Sequence, residues 1–350
     1  MRYGLGWRPE LAAGILGNLD RIDVIEILAE EHFDAGPGER RALRFLRTQV
    51  PVVLHATSLG LASTEPVDGR RLDAIARVVE WLQPDFWSEH LAFVRAGGRE
   101  IGHLAAPPRN DATLEGLARN VALATRLAGS PPLLENVASL IDPLFSTYDE
   151  ASWLRAVLDA TPCDLLLDLH NLHANAVNFR FDPRDVLRTI PHERIGAVHL
   201  AGGRRIEGNR LLDDHLHAVP DPVYELLAEV HPEHATVILE RDGHYPPIDE
   251  LLRELDRARA VRSTGVPPPA PAASATASPE APLDTIPFLA ALYADPAARA
   301  AFLQAPYETA LAAGFAANDA ATLSSMNAED LAVAGRGFDA KRGRVGSRRF

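Results

Sequence analysis

The chain has 350 residues, 47% of them hydrophobic, with a formal net charge of −13 and a pI near 5.5. That length suits one large domain plus an appendage, and the acidic balance disfavours a general nucleic-acid binder, which needs a basic face against phosphates. A single cysteine, Cys163, excludes an internal disulfide and a C-x-x-C zinc site.

Cys163 precedes an apolar run and reads as a packed core residue. The opening stretch MRYGLGWRPELAAG lacks an apolar segment of signal-peptide length, and no run of 18 uncharged apolar residues occurs. The expectation is a cytoplasmic protein with no membrane and no nucleic-acid partner.

From the N-terminus, short apolar or β-branched runs alternate with amphipathic stretches. Eight runs read as strands: YGLGW (3–7), VIEIL (24–28), VVLHA (52–56), DFWSEH (85–90), LLENV (133–137), DLLLDLH (164–170), IGAVHL (195–200) and TVILER (236–241). Helical spacing lies between them, as in 70–82, 114–127 and 150–158. Eight βα units in about 250 residues predict an α/β fold, a (β/α)8 TIM barrel. Beyond it, 263–284 is a Pro/Ala-rich linker with no hydrophobic periodicity. The last segment, 285–350, reads as a small C-terminal helical appendage with a basic end, KRGRVGSRRF. The expected division is thus a barrel over 1–262, a linker and a helical domain.

Six of the eight runs close on a His or a carboxylate: His55, His90, Glu135, Asp168, His199 and Glu240. A βα barrel builds its active site from the C-terminal ends of its strands. In LLLDLHNLHANAVN (165–178), Asp168 and His170 are two apart and are expected on one side of the sixth strand, with Asn171 opening the loop. A second cluster, LLDDHLHAVPD (211–221), adds Asp213 and His215. Carboxylates and imidazoles together suit iron, manganese or zinc. The set His55, His90, Glu135, Asp168, Asn171, His199, Asp213, His215 and Glu240 exceeds what one ion needs, so roughly two or three metals are expected, some bridged by carboxylates. So many acids at one mouth would repel each other without bound cations. His173 and His217 are candidates for pocket walls or for supporting the ligands, whereas His103, His192, His231, His234 and His244 look like ordinary loop or surface histidines. No P-loop, dinucleotide fingerprint or G-x-S-x-G elbow is present.

In this order, SEHLAF, LLENV, LLLDLHNLHANAVN, VHLAGG, LLDDHLHAVPDPV and ILERDG resemble the multinuclear non-haem iron-dependent oxidative enzymes, the family of the iron enzyme of methanobactin biosynthesis. The resemblance covers about residues 1–260 and implies a xylose isomerase-like TIM barrel holding two or three iron ions of mixed Fe(II)/Fe(III) state, with O2 as co-substrate. It implies oxidative modification of cysteine in a ribosomally made precursor peptide, an activity of natural product biosynthesis. A partner protein often presents the peptide, a role the C-terminal domain is a candidate to fill. The same nine residues fall on the family's ligand pattern. Where other members read Asp-Val-Asn-Asn, this chain reads DLHN, so His170 replaces an Asn. Glu30 falls where members often carry an acid and is a candidate pocket residue. The rival readings are a zinc- or manganese-dependent barrel hydrolase or isomerase, of endonuclease or sugar isomerase type, and a non-catalytic metal-binding scaffold. The acidic charge disfavours a DNA groove, and no Lys lies in the motifs to serve an isomerase.

Overall fold

A computed structural model describes residues 1–231, 235–262 and 284–336. All but the last residue of the expected linker, the basic C-terminal end and His234 lie outside the described residues.

The strands are β1 (Arg2–Gly6), β2 (Val24–Leu28), β3 (Val52–His55), β4 (Trp87–His90), β5 (Phe93–Ala96), β6 (Arg99–Ala105), β7 (Leu133–Glu135), β8 (Leu165–Asp168), β9 (Ile195–Leu200), β10 (Arg204–Arg205), β11 (Leu211–Leu212) and β12 (Thr236–Leu239). Eight of them close a parallel barrel in the order β1-β12-β9-β8-β7-β4-β3-β2. These strands are buried almost throughout. A parallel strand covered on both faces has no solvent side to mark with alternation, hence near-continuous apolar runs. All eight expected strands exist, with ends shifted by at most two residues.

Helices α1 (Ala12–Leu16), α2 (Pro37–Gln49), α3 (Gly69–Leu82), α4 (Asp111–Ala128), α5 (Glu150–Ala160), α6 (Leu169–Phe179), α7 (Pro183–Thr189), α8 (Asp221–Glu229) and α9 (Ile248–Arg262) belong to the barrel. Several start on a side chain that accepts orphan N–H groups of the first turn. Asp68 caps α3, Asn110 caps α4, Asp149 caps α5 and Asp182 caps α7. Cys163 is fully buried in the main core, and that burial pushes its thiol up to about 12.

One local expectation is corrected. The sixth strand does not run to His170. It stops at Asp168, whose side chain accepts Asn171 N at 2.6 Å and caps α6. The cap turns the chain before the run 164–170 can end as a strand, so Asp168 and His170 do not share a strand face.

Two hairpins, β5–β6 and β10–β11, interrupt the βα alternation and stand beside the strand ends. The tail contributes α10 (Ile286–Ala294), α11 (Pro296–Gln304), α12 (Pro306–Ala312) and α13 (Ala317–Ser324), followed by a further helical stretch over 328–336. The Asp-Pro and Ala-Pro breaks place Pro296 and Pro306 at the first position of α11 and α12, where the missing N–H costs nothing. No single described helix is long and apolar enough to cross a membrane, and α10 with α11 is bent by 106°.

The segment after β3 is tied to α4 by Asn120. Its buried Nδ2 donates to Leu61 O, Ser63 O and Glu65 O at 3.0–3.2 Å, and its Oδ1 accepts Val67 N at 3.2 Å. Asn120→Ala is expected to lower the unfolding free energy by roughly 1–3 kcal/mol, because it leaves buried backbone groups without partners. Equilibrium urea unfolding checks this, and an unchanged midpoint would refute it.

Candidate metal centre

Strand register brings the polar strand ends together. His90 is the register partner of Glu135, and Asp168 that of His199. Among the described residues, two groups of side chains each offer ligand atoms within 4.8 Å of one another: His55, His90 and Glu135, and Glu135, Asp168, His199 and Glu240. Glu135 belongs to both.

The imidazoles show why they point inward. Ser88 Oγ donates to Leu54 O at 3.4 Å, so it accepts from His55 Nδ1 at 2.8 Å. That leaves the His55 Nε2 lone pair facing Glu135 Oε2 at 3.5 Å. His90 places Nδ1 3.3 Å from Glu89 Oε1 and Nε2 3.2 Å from Glu135 Oε2. His199 places Nε2 2.9 Å from Glu26 Oε2, and Nδ1 3.4 Å from Glu135 Oε1 and 3.2 Å from Glu240 Oε2. Each ring thus has one nitrogen on a fixing partner and the other on a shared carboxylate, the arrangement in which outer groups orient metal ligands.

The third corner comes from outside the barrel strands. His215 lies after β11 in left-handed backbone (φ 54°), a strained conformation for a side chain of its size. Its Nε2 lies 3.0 Å from Asp213 Oδ1 and 4.0 Å from Asp168 Oδ2, and its Nδ1 lies 3.1 Å from Glu240 Oε2. His170 Nδ1 lies 2.7 Å from Asp213 Oδ1. Asn171 donates through Nδ2 to Asn136 O at 2.9 Å. Asn136 in turn brackets the Asp168 backbone, accepting its N–H and donating to its carbonyl, both at 2.9 Å.

The donor set passes a further test. Glu135 Oε2, Asp168 Oδ2, Asn171 Oδ1, His199 Nδ1 and His215 Nε2 are buried and have no hydrogen-bond partner among the described residues. Such groups cost free energy when left alone. The four charged or titratable groups sit at ion-pair distances from one another, yet none of the five atoms is aligned in a hydrogen bond. Atoms aimed at common points rather than at each other suit cations with nitrogen and oxygen ligands.

Charge tells the same story. Burial drives His55 down to about 3. Burial also pulls on His90, but the carboxylates of Glu135 and Glu89 outweigh it and raise His90 to about 9. His199 and His215 are held well above their ordinary range, desolvation being overcome by Glu240 and Glu26 for the first and Asp213 and Glu240 for the second. Asp168 is raised to about 7 by burial and by Glu135, and Glu26 to about 7 by burial against the opposing His199.

The structure therefore gathers all nine residues of the expected ligand set around one mouth. Seven of them, with Arg8, Asp242 and His103, line a cavity of about 220 Å³, while Asp168 and His199 lie beneath. Arg8 donates to Asp242 at 2.5 Å and sits 3.7 Å from Glu240. The four further candidates stand apart from the cavity lining. His170 supports Asp213, and Glu30 accepts Thr57 N at 2.8 Å. His217 lies 2.9 Å from Asp214 Oδ1, and His173 is a half-buried ring lowered to about 4 by desolvation. His103, read as an ordinary loop histidine, instead lines the cavity. Glu26, Ser88, Glu89, Arg8 and Asn136 were missed. Only Glu26 left a signal, a charge in the middle of the apolar run VIEIL. Asn175 and Asn178 pin loops: Asn175 accepts Ser139 N, and Asn178 accepts Leu211 N, both at 2.8 Å.

The fold and this mouth define a (β/α)8 barrel whose strand ends gather groups able to hold more than one metal ion. The profile of the family described as RiPP precursor modification enzyme MbnB/TglH/ChrH matches residues 2–263, and the chain belongs to this family. It is 38% identical over 267 residues to a UPF0276 protein of Streptomyces avermitilis, covering 73% of this chain and 54% of that protein. The chain thus spans about half the length of that relative. UPF0276 proteins of Anaeromyxobacter sp. and Pseudomonas aeruginosa are each 33% identical, over 75% and 74% of this chain and 94% and 92% of theirs. Among solved structures, endonuclease IV from Thermus thermophilus superimposes with a TM-score of 0.50 at 18% identity, over 74% of this chain and 99% of that one. A D-tagatose 3-epimerase-like protein does so with 0.51 at 17%, over 75% and 98%. These two likenesses concern the barrel alone.

Metal loading is expected to release protons, since a ligating nitrogen must first lose its own. His90, raised to about 9, is protonated at neutral pH, so affinity should rise as pH climbs towards that value and fall below it. Calorimetric Fe(II) titrations in buffers of different ionisation enthalpy measure the release, and zero net release at pH 7 would contradict it.

Ser88→Ala removes the acceptor that fixes the His55 tautomer and should weaken metal binding about 10–100-fold. Chelator competition reads the affinity. Unchanged affinity would remove Ser88 from the centre.

Proposed function

We propose that this chain is a multinuclear iron-dependent enzyme that uses O2 to oxidise cysteine in a ribosomally synthesised precursor peptide. Membership of a precursor-modifying family supports a peptide substrate. The observation that carries the metal reading is the group of three imidazoles, each fixed on its outer nitrogen and turned inward on Glu135.

In this reading His55, His90 and Glu135 hold one ion. Glu135, Asp168, His199 and Glu240 would hold a second, Glu135 being common to both groups. Asn171, Asp213 and His215 complete a two- or three-ion centre next to Asp168. Bound iron would supply one-electron redox chemistry towards a thiolate and O2. The protein's own groups do the rest. Arg8 offsets the charge of Glu240 and Asp242. Ser88, Glu89 and Glu26 keep the rings from turning. Asp242, about half exposed, lines the cavity and holds the Arg8 guanidinium in place. Leu28, Leu140, Ile141 and Leu211 keep the cavity wall apolar and limit water. A protein acting on such a peptide works in the cytoplasm, where the peptide is made and thiols stay reduced.

Metal analysis with Mössbauer spectroscopy on anaerobically purified protein tests the reading. The expected result is about two to three irons per chain, largely lost in Glu135→Ala and Asp168→Ala. Stoichiometric zinc that supports hydrolysis, with no iron, would overturn it in favour of a hydrolase.

A further inference from the structure

The C-terminal helices do not hang from the barrel as a separate module. Ile286, Leu289, Tyr293, Phe302 and Leu331 share one buried apolar cluster with Phe93, Ile101 and Ile141 of the barrel's loops. Tyr293 faces Phe93 with ring centroids 6.3 Å apart. Arg210, beside β11, pairs with Asp330 and also donates to Leu140 O at 2.8 Å. That one guanidinium couples the tail to two barrel loops. A Cβ on Gly97 would lie 3.2 Å from Pro287 Cβ, so the tight turn of the β5–β6 hairpin (φ 57°) seats the start of α10.

This docking brings Tyr293 and Ala334 into the wall of the same cavity whose floor holds His55, His90 and Glu135. Leu104, Leu140, Ile141 and Leu211 complete the apolar side. The cavity is therefore polar below and apolar above, and part of its apolar half is not made by the barrel at all. At about 220 Å³ it has room for side chains rather than for a folded partner. A residue seated on the floor has this wall within the same cavity.

We propose that the C-terminal helices form, within the same chain, a specificity subsite that takes an apolar side chain flanking the reacting residue of the peptide, with Tyr293 and Ala334 as its determinants. The proposal rests on the peptide-oxidising reading for its substrate class. Its physics is burial of apolar surface in a preformed apolar wall. The tail then contributes to substrate selection.

Isothermal titration of the full-length, iron-loaded protein under anaerobic conditions tests it. The probes are acetyl-Leu-Cys-Leu-amide, acetyl-Ser-Cys-Ser-amide and acetyl-Leu-Ser-Leu-amide. The wild-type protein is expected to bind the Leu-Cys-Leu probe about tenfold or more tighter than the Ser-Cys-Ser probe. Ala334→Trp fills the wall and should shrink that preference to about twofold or less, while the preference for Cys over Ser at the centre persists. Tyr293→Ala enlarges the wall and should favour acetyl-Trp-Cys-Trp-amide over the Leu-Cys-Leu probe. An absent Leu preference in the wild type, or one left intact by both variants, would overturn the subsite. Loss of the Cys preference with the Leu preference retained would instead sink the thiol reading and leave the subsite standing.

Discussion

Glu135 is the group on which the mouth depends. It is fully buried at the end of a three-residue strand, and both its oxygens face imidazole nitrogens. A buried carboxylate is expensive unless positive charge compensates it. Here the compensation comes from His90 and His199, which outweigh burial and keep Glu135 below the ordinary carboxylate range. The same rings are in turn lifted by the carboxylates around them. The centre is a closed electrostatic set in which no member keeps its ordinary state alone. Replacing protons by metal ions leaves that logic intact, since the charge stays while the lone pairs turn to ligation.

The rest of the molecule holds this set in place from outside. The rings of His55, His90 and His199 each have a fixing partner, and those partners sit on elements already constrained by the barrel: Ser88 and Glu89 on β4, Glu26 inside β2. The segment that carries Asp213 and His215 follows the short strand β11 of a hairpin and not a strand of the barrel. Asn178 ties β11 to α6, and His215 adopts a left-handed backbone to bring its ring inward. Strain at one residue is tolerated because the surrounding contacts over-determine it. The tail adds a second constraint from above through Arg210 and the shared apolar cluster.

The barrel was legible because parallel strands buried on both faces read as unbroken apolar runs. The ligand candidates were legible because most ended those runs, as His55, His90, Glu135 and Asp168 do. What stayed hidden had no periodic signature. Ser88 and Glu89 are ordinary residues in a four-residue strand, and their role exists only once His55 and His90 turn towards Glu135. The hairpin β5–β6 did leave a signal, the Gly97-Gly98 pair between two strand-like runs, whereas β10 and β11 are two residues each, too short for any pattern. The misreading of 164–170 has a local cause: Asp168 serves both as a member of the cluster and as the helix cap, and the cap decides where the strand ends.

That double use explains the cluster of Asp, His and Asn following β8. Asp168 sends one oxygen to the cap and leaves the other for the centre. Asn171, in the first turn of α6, spends its Nδ2 on Asn136 O and leaves Oδ1 for the centre. Asn175 and Asn178, on the following turns, spend their amides on the loops that wall the cavity. A helix repeats its faces every three to four residues, so the run from Asp168 to Asn178 lays a line of amides and acids along one side of α6. Its first members face the metal-capable groups and its later ones face the loops. The segment is polar because one helix both completes the centre and fastens the walls around it, and an apolar residue at any of these positions would release one or the other.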